Sequence, residues 1–437
     1  MEADIVLKNG LILTMDEGFN FHEKADLAIK DSKIIDISPQ TKYKGKKTIE
    51  ARGKLLMPGL INCHTHAAMA MMRGLADDMA FETWWHDFIF PIEKRLLDPD
   101  FIRVGAGLAA IEMIKSGTTT FNDMYFFEDV AAETCRQVGI RSYLGETVMS
   151  AETPDKKTPD EALKLIEEMK EKWRDDPIVH LTVAPHAPYS CDEAALKKSK
   201  QLSDRLDLPL HIHIAETAGE VEAFKATHGG STPVEYLAST GFLSEKVIAV
   251  HCVHLSRHDI ELLKKHDVKV AHCQESNMKL AVGSAPIVEI QNEGIVVGLG
   301  TDGAASNNNL DMFDEMDSAA KFHKATHADP TVMPAKTVVK MATRDGARLL
   351  GRSDLGSLAI GQTADVIIVG LNRPHLVPLY NIYSNLVYSA GGGDVDTAII
   401  NGKLIMENRK MLTVDEGEII DRANHLAKKI EREVKHA

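Results

Sequence analysis

Aromatic residues make up only 5% of this 437-residue chain, which argues against a stacking platform for nucleic acid. Positive charge is also in deficit: 50 Lys and Arg face 64 Asp and Glu, for a formal charge of −14. A surface of that sign repels phosphate backbones and anionic lipid, so neither nucleic acid nor membrane is an expected partner. The one basic run, residues 42–47 with Lys42, Lys44, Lys46 and Lys47, has the composition of a solvated loop. No apolar run approaches the ~20 residues that a membrane helix needs, and the opening Met-Glu-Ala-Asp lacks the basic-then-apolar pattern of a signal peptide. The 5 cysteines are odd in number and show no CxxC spacing; they read as reduced, buried thiols of a cytoplasmic protein.

What is present is an ordinary globular composition, 44% hydrophobic and 26% charged, in a length that fits a barrel-sized domain plus a smaller one. The stretches "ADIVLKNGLILTM" and "DLAIKDSKIIDIS" are short alternating apolar runs punctuated by Asn-Gly and Asp-Ser, the texture of a small β-sheet. It returns in "ADVIIVGL" and "DTAIINGKLIMEN". The expected arrangement is therefore one β-sandwich assembled from residues 1–57 and 358–412. A helix over residues 413–437 follows, where apolar residues fall at helical spacing.

Between those flanks, residues 58–357 alternate strand and helix. Strand candidates run from "GLINCHTH" through "LPLHIHIAET" to "IVVGLGTDG", with amphipathic stretches such as "PDEALKLIEEMKEKWRD" between them. Glycines at 117, 139 and 294 close helices just before the next strand. About eight such units predict a TIM-like (β/α)8 barrel. Polar residues cluster at the C-terminal ends of the strands: His64 and His66, Asp123, His186, His213, His251, His272 and Asp302. A barrel carries its active site on that face, whereas a buried parallel strand otherwise ends in apolar residues.

His64 and His66 stand two apart on a strand and so point to one side, as do His211 and His213. His213, nearer the strand end, is the expected ligand, and His211 lies one layer back. Asp302 follows a glycine-lined strand that lets backbones approach closely. Three imidazoles and a carboxylate suit Zn²⁺ first and also accommodate Fe²⁺ or Mn²⁺. Such a site keeps a position for water, whose pKa falls towards neutrality. Glu216, three residues past His213, can reach in without being a ligand. His251 reads as a fifth ligand or an orienting group, His272 as structural, and His186, fixed between prolines, as a substrate contact. No lysine ends the fourth strand, so one metal ion is expected, not two.

Together "PGLINCHTH", "HIHIAET", "AVHCVHL" and "LGTDGAASNN" resemble the amidohydrolase superfamily, and "FETWWHDFIFPIEKRL", "APHAPYSC" and "ESNMKL" narrow the resemblance to the methylthioadenosine/S-adenosylhomocysteine deaminases. It spans essentially the whole chain. It implies a metal held by His64, His66, His213 and Asp302, with Glu216 as proton shuttle and purine contact. It further implies that Glu93 binds the ribose hydroxyls, that His186 contacts the substrate and that His251 steadies the attacking hydroxide. Asp302, which also touches the water, becomes the second shuttle. The implied protein is a cytoplasmic homo-oligomer with one divalent ion per subunit, converting a purine nucleoside to its inosine derivative and ammonia.

Rival readings are a deaminase or dechlorinase of another heterocycle (guanine, a pterin or a triazine) and an inactive scaffold barrel. Glu93 opposes the first, since a diol-binding carboxylate has no purpose without ribose, and the full ligand set opposes the second. The Met- and Trp-rich residues 67–97 are expected to form either core or an apolar lid over the nucleoside's 5′ end. In the resembling family an arginine just after the third strand grips the homocysteine carboxylate. Here that stretch holds Glu146, and Arg141 falls inside the strand as a structural ion-pairing residue. The expectation is a preference for neutral 5′ groups.

Overall fold

The computed structural model describes residues 1–435. Eight barrel strands occur in the expected order: Leu60–Thr65, Thr118–Tyr125, Arg141–Val148, a fourth broken into Val179–Leu181 and Ala184–Pro185, then Leu210–Ile214, Val247–His251, Lys269–His272 and Val297–Leu299. Neighbours pair in parallel as two arcs, strands one to four and strands five to eight. Two seams close the ring. Strand four meets strand five through His211 N–H to the Val183 carbonyl at 2.9 Å, and strand eight meets strand one through Asp302 N–H to the His64 carbonyl at 3.0 Å. Between strands run the amphipathic helices, among them Pro159–Lys172, Glu193–Leu206 and Arg257–Lys265. Gly117, Gly139 and Gly294 all have positive φ, the left-handed conformation that stops a helix at low cost for glycine.

Nine strands from both flanks form one further sheet, in which Lys54–Pro58 pairs with Val366–Gly370 and so joins the two segments. The long strand Glu2–Leu13 pairs with Lys44–Glu50 over its first half and with Lys54–Pro58 over its second, so it runs through both layers. Ile5, Leu7, Leu27, Ile29, Val366 and Ile368 fill the core between them. Arg141 fixes this sheet to the barrel: its guanidinium grips both oxygens of Asp365 at 3.0 Å, fully buried, which is the structural ion pair expected for it. The helix at the C-terminal end begins at Glu416 rather than at residue 413, and residues 436 and 437 lie outside the described residues.

Two local readings change. Asn9-Gly10 sits at a β-bulge inside a single strand, with Asn9 at φ 60°. Asp31-Ser32, both at positive φ, makes the hairpin turn. The lysine-rich residues 42–47 are largely strand rather than loop, at the edge of the sheet, where Lys46 pairs with Asp4 and Lys47 with Glu407. Charged edges of this kind resist pairing with another chain. All five cysteines are free and buried, and no helix among the described residues is long and apolar enough to cross a membrane.

Candidate active site

Strand ends one, five, six and eight converge. Possible ligand atoms of His64, His66 and His213 lie within 4.8 Å of one another, as do those of His64, His251 and Asp302. Asp302 Oδ1 stands 3.3 Å from His64 Nε2 and 3.4 Å from His66 Nε2. Each ring is turned by a bond at Nδ1: His66 to the Met124 carbonyl at 2.5 Å, His213 to the His186 carbonyl at 2.8 Å, His64 to His211 Nε2 at 2.9 Å and His251 to Asn277 Oδ1 at 3.0 Å. A carbonyl acceptor requires the proton on Nδ1 and leaves the Nε2 lone pair free for a metal. His64 Nε2 is buried and has no hydrogen-bond partner among the described residues. An orphaned nitrogen beside a carboxylate and two further imidazoles fits a divalent ion.

The backbone is bent to make this meeting possible. Ala215, His251, Cys252 and Asp302, all at strand ends, adopt positive φ without being glycine, a conformation costing about 1–3 kcal/mol each. At Gly300 a Cβ would approach the His64 amide nitrogen to 2.8 Å, so only glycine lets the eighth strand lie so close to the first. Asp302 is then held by the Gly303 N–H at 2.7 Å, Ser276 Oγ at 2.6 Å and Ser306 Oγ at 2.8 Å. These two serines, with Asn277, carry out positioning that sequence reasoning did not assign, although "ESNMKL" and "LGTDGAASNN" contain them.

Glu216 faces the cluster with Oε1 3.7 Å from His251 Nε2. Burial and the nearby Asp302 carboxylate push its pKa up to about 8. Burial lowers His64 to about 3, keeping the ring neutral and able to ligate. Burial alone would raise Asp302, but the surrounding His64, His66 and His251 hold it well below the usual carboxylate range. Glu216, His186, His213, His251 and Asp302 all line one small cavity of about 40 Å³, roofed by Met69, Phe81, Trp84 and Trp85. Trp85 stacks on His186 with ring centres 5.9 Å apart. The roof comes from residues 67–97, where Trp84–Ile89 is a wide π-turn, a form that recurs at functional sites. Other members of that stretch behave as core: Met72 is fully buried.

Glu93, Asp123, His272 and Glu146 lie outside this cavity. Glu93 is buried one layer behind, bonded to Tyr125 Oη at 2.8 Å. Asp123 accepts from Thr65 Oγ1 at 2.6 Å and the Ala67 N–H at 2.8 Å, bracketing His66. His272 bonds Gln274 and His323 in the interior. Glu146 overturns its assignment near a 5′ group: strand three runs on to Val148, so Glu146 is inside it, accepting the Glu128 N–H at 3.0 Å beside Lys156. Buried within the strand, Glu146 cannot bias the site towards neutral 5′ groups.

A family model described as "Amidohydrolase family" matches residues 55–405. This chain belongs to the amidohydrolase family. The amidohydrolase is 43% identical over 438 residues to a 5-methylthioadenosine/S-adenosylhomocysteine deaminase of Syntrophus aciditrophicus, covering 99% of each chain. It is 42% identical over 430 residues to a 5′-deoxyadenosine deaminase of Methanosarcina acetivorans, covering 98% of each. Among solved structures it matches an adenosine deaminase from Xanthomonas campestris with bound zinc, at TM-score 0.96, 35% identity and 99% coverage of both chains.

Proposed function

We infer that this amidohydrolase hydrolytically deaminates an adenine nucleoside, drawn from adenosine, 5′-deoxyadenosine, 5′-methylthioadenosine and S-adenosylhomocysteine. The observation that carries the reading is Glu216. Its carboxyl faces the His and Asp cluster, with Oε1 3.7 Å from His251 Nε2, where it can pass a proton to and from a purine ring. The activities for which the two relatives are named agree.

His64, His66, His213 and Asp302 would hold one divalent ion, zinc by the preference for N and O donors, with Fe²⁺ or Mn²⁺ suited to the same set. Bound there, the ion supplies Lewis-acid activation of water. The chain's own groups then manage the protons. Adenine must gain oxygen at C6 and a proton at N1, and its amine leaves as ammonia after taking another. Asp302, the ionised acceptor, takes one proton from the attacking water. Glu216 gives its proton to N1, and His251, fixed by Asn277, orients the incoming oxygen. As the C–N bond breaks, Asp302 returns its proton to the amine. The C6 hydroxyl gives its own proton to Glu216 and becomes the carbonyl. His186 packs against the substrate, and Glu93 accepts from the ribose.

Ammonia release measured over the four nucleosides, guanine, a pterin and a triazine tests this, with metal content determined on the same sample. Release from adenine nucleosides alone is expected. Release only from a heterocycle without ribose, or none from fully metallated protein, would overturn it.

A further inference from the structure

The carboxylate of Glu220 reaches past the helix it caps. That helix, Ala218–Thr227, opens with a capping box in which Thr217 Oγ1 accepts the Glu220 N–H at 3.0 Å. Such a box needs the acid to take one backbone N–H in return, that of the cap residue. Two further boxes do only this among the described residues: Glu235 accepts from the Thr232 N–H at 2.8 Å and Asp259 from the Ser256 N–H at 2.7 Å. Glu220 instead collects three backbone N–H groups, Ala215 at 3.2 Å on Oε1, then Glu216 at 2.9 Å and Thr217 at 3.4 Å on Oε2. Its shortest bond goes to Glu216, one residue before the cap.

Glu216 needs such a hold. Side chains alternate along a strand, so residue 216 of a continued strand would point away from the side that His213 faces. Ala215 breaks the alternation with φ 53°, a left-handed conformation that few residues other than glycine take. Its carbonyl is fixed from the other side, accepting the Val253 N–H at 3.1 Å and the His254 N–H at 2.9 Å. The turn is thus clamped at its carbonyl by the loop after strand six and at its amides by Glu220. Glu220 does not line the cavity over the His and Asp cluster.

We propose that Glu220 is the positioning residue for Glu216: its carboxylate gathers the amides of residues 215–217 and so holds the reversal that turns Glu216 towards the cluster. This inference rests on Glu216 moving protons in the reaction, as proposed above. Accepting three N–H groups on two oxygens suits an ionised carboxylate. Burial and the charge of Glu216 raise the Glu220 carboxyl to about 7, with the backbone N–H bonds acting against that shift, so it is ionised at pH 8.

The test is kcat and KM for ammonia release from adenosine at pH 8 by zinc-loaded protein, with zinc per chain and melting temperature measured for each variant. The variants are Glu220→Ala, Glu220→Gln, Glu216→Gln, each Glu220 change combined with Glu216→Gln, and Glu235→Ala. Glu220→Ala should keep stoichiometric zinc and lose about tenfold to a hundredfold in kcat, the scale of a hydrogen bond to a charged group, with KM moving much less. Glu220→Gln should lose less, since its amide oxygen can replace Oε2 towards Glu216 and Thr217 while its amide nitrogen cannot accept from Ala215. In the Glu216→Gln background neither change should cost much more, because residues that act as a unit are not additive. Glu235→Ala, which removes an ordinary cap, should lower the melting temperature and keep kcat. Wild-type kcat in folded Glu220→Ala, or the same fold loss with and without the Glu216 carboxyl, would overturn the proposal. Loss of zinc would also overturn it, by making Glu220 a support of the strand end that carries His213. Should Glu220→Ala not fold, Glu220→Gln and its double variant decide by the same comparison. Near-normal turnover in Glu216→Gln would instead remove the reading of Glu216 on which the proposal rests.

Discussion

Replacing His211 with alanine isolates the contribution of an outer partner to the proposed metal ligand His64. His211 and His64 are both fully buried, and they share a hydrogen bond of 2.9 Å through His211 Nε2 and His64 Nδ1. With His64 offering Nε2 to the ion, its Nδ1 carries the proton and His211 accepts it. Deleting the imidazole strands a buried N–H, a cost of about 1–3 kcal/mol. At about 1.4 kcal/mol per tenfold in binding, zinc affinity should fall roughly fivefold to a hundredfold, within the range found when ligands lose outer partners. The ion should still bind stoichiometrically when in excess. His213→Ala, which removes a donor outright, should cost far more. His211→Gln, whose amide oxygen can accept the same proton, should recover part of the loss. Competition against a chromophoric zinc chelator measures all three variants, with circular dichroism to confirm folding. Unchanged affinity in folded His211→Ala, or a smaller loss in His213→Ala than in His211→Ala, would refute the reasoning.

Glu216→Gln should retain zinc while kcat drops by at least ~10²–10⁴, the usual effect of losing a general acid–base group; near-normal turnover would rule out its role as shuttle. Trp85→Ala should raise the KM for adenosine, because Trp85 roofs the cavity. Met72→Ala should leave KM alone and lower stability by about 2–5 kcal/mol, and the opposite pattern in denaturation and kinetics would contradict this division of the segment. Metal-free protein should lose thermal stability between pH 6.5 and 8.5. There Glu93 and Glu216, raised to about 8, and Glu220, raised to about 7, keep protons that the unfolded chain has already released, so folding is favoured at the lower end. Below pH 6.5 the slope is partly offset, since burial holds His180 near 3 and His323 near 4 and the unfolded chain takes up protons there. A melting temperature that rises steadily from pH 6.5 to 8.5 with chelator present would contradict this.

The barrel and the convergence of His64, His66, His213 and Asp302 were legible because side chains two apart on a strand share a side, and parallel barrels collect such ends at one mouth. Placing His211 behind His213 followed from the same period. What escaped detection was fixed by details smaller than the period. Strand three continues two residues past Glu146, enough to move that side chain from the mouth to the interior. Asn-Gly and Asp-Ser both supply left-handed residues, so the dipeptide alone does not separate the bulge at Asn9 from the turn at Asp31. The lysines of residues 42–47 sit on a sheet edge with almost no apolar alternation to reveal it. Ser276, Asn277 and Ser306 act from segments beyond the strand ends, where no periodicity links them to Asp302 and His251.

Asn62 donates to Thr301 Oγ1 at 2.7 Å across a separation of 239 residues, and one hydrogen bond further along the same seam His64 faces Asp302. The ring of strands is thus fastened between its first and last members at the mouth, where His64 and His66 come from one side and Asp302 from the other. An ion gripped by these three side chains is a cross-link that closes a very long loop of chain, and in the unfolded ensemble the entropy cost of bringing such distant residues together is large. Occupancy of the catalytic centre and persistence of the closed barrel are therefore one equilibrium viewed from two ends. A cell short of the metal would hold a protein that is both idle and quicker to open along this seam.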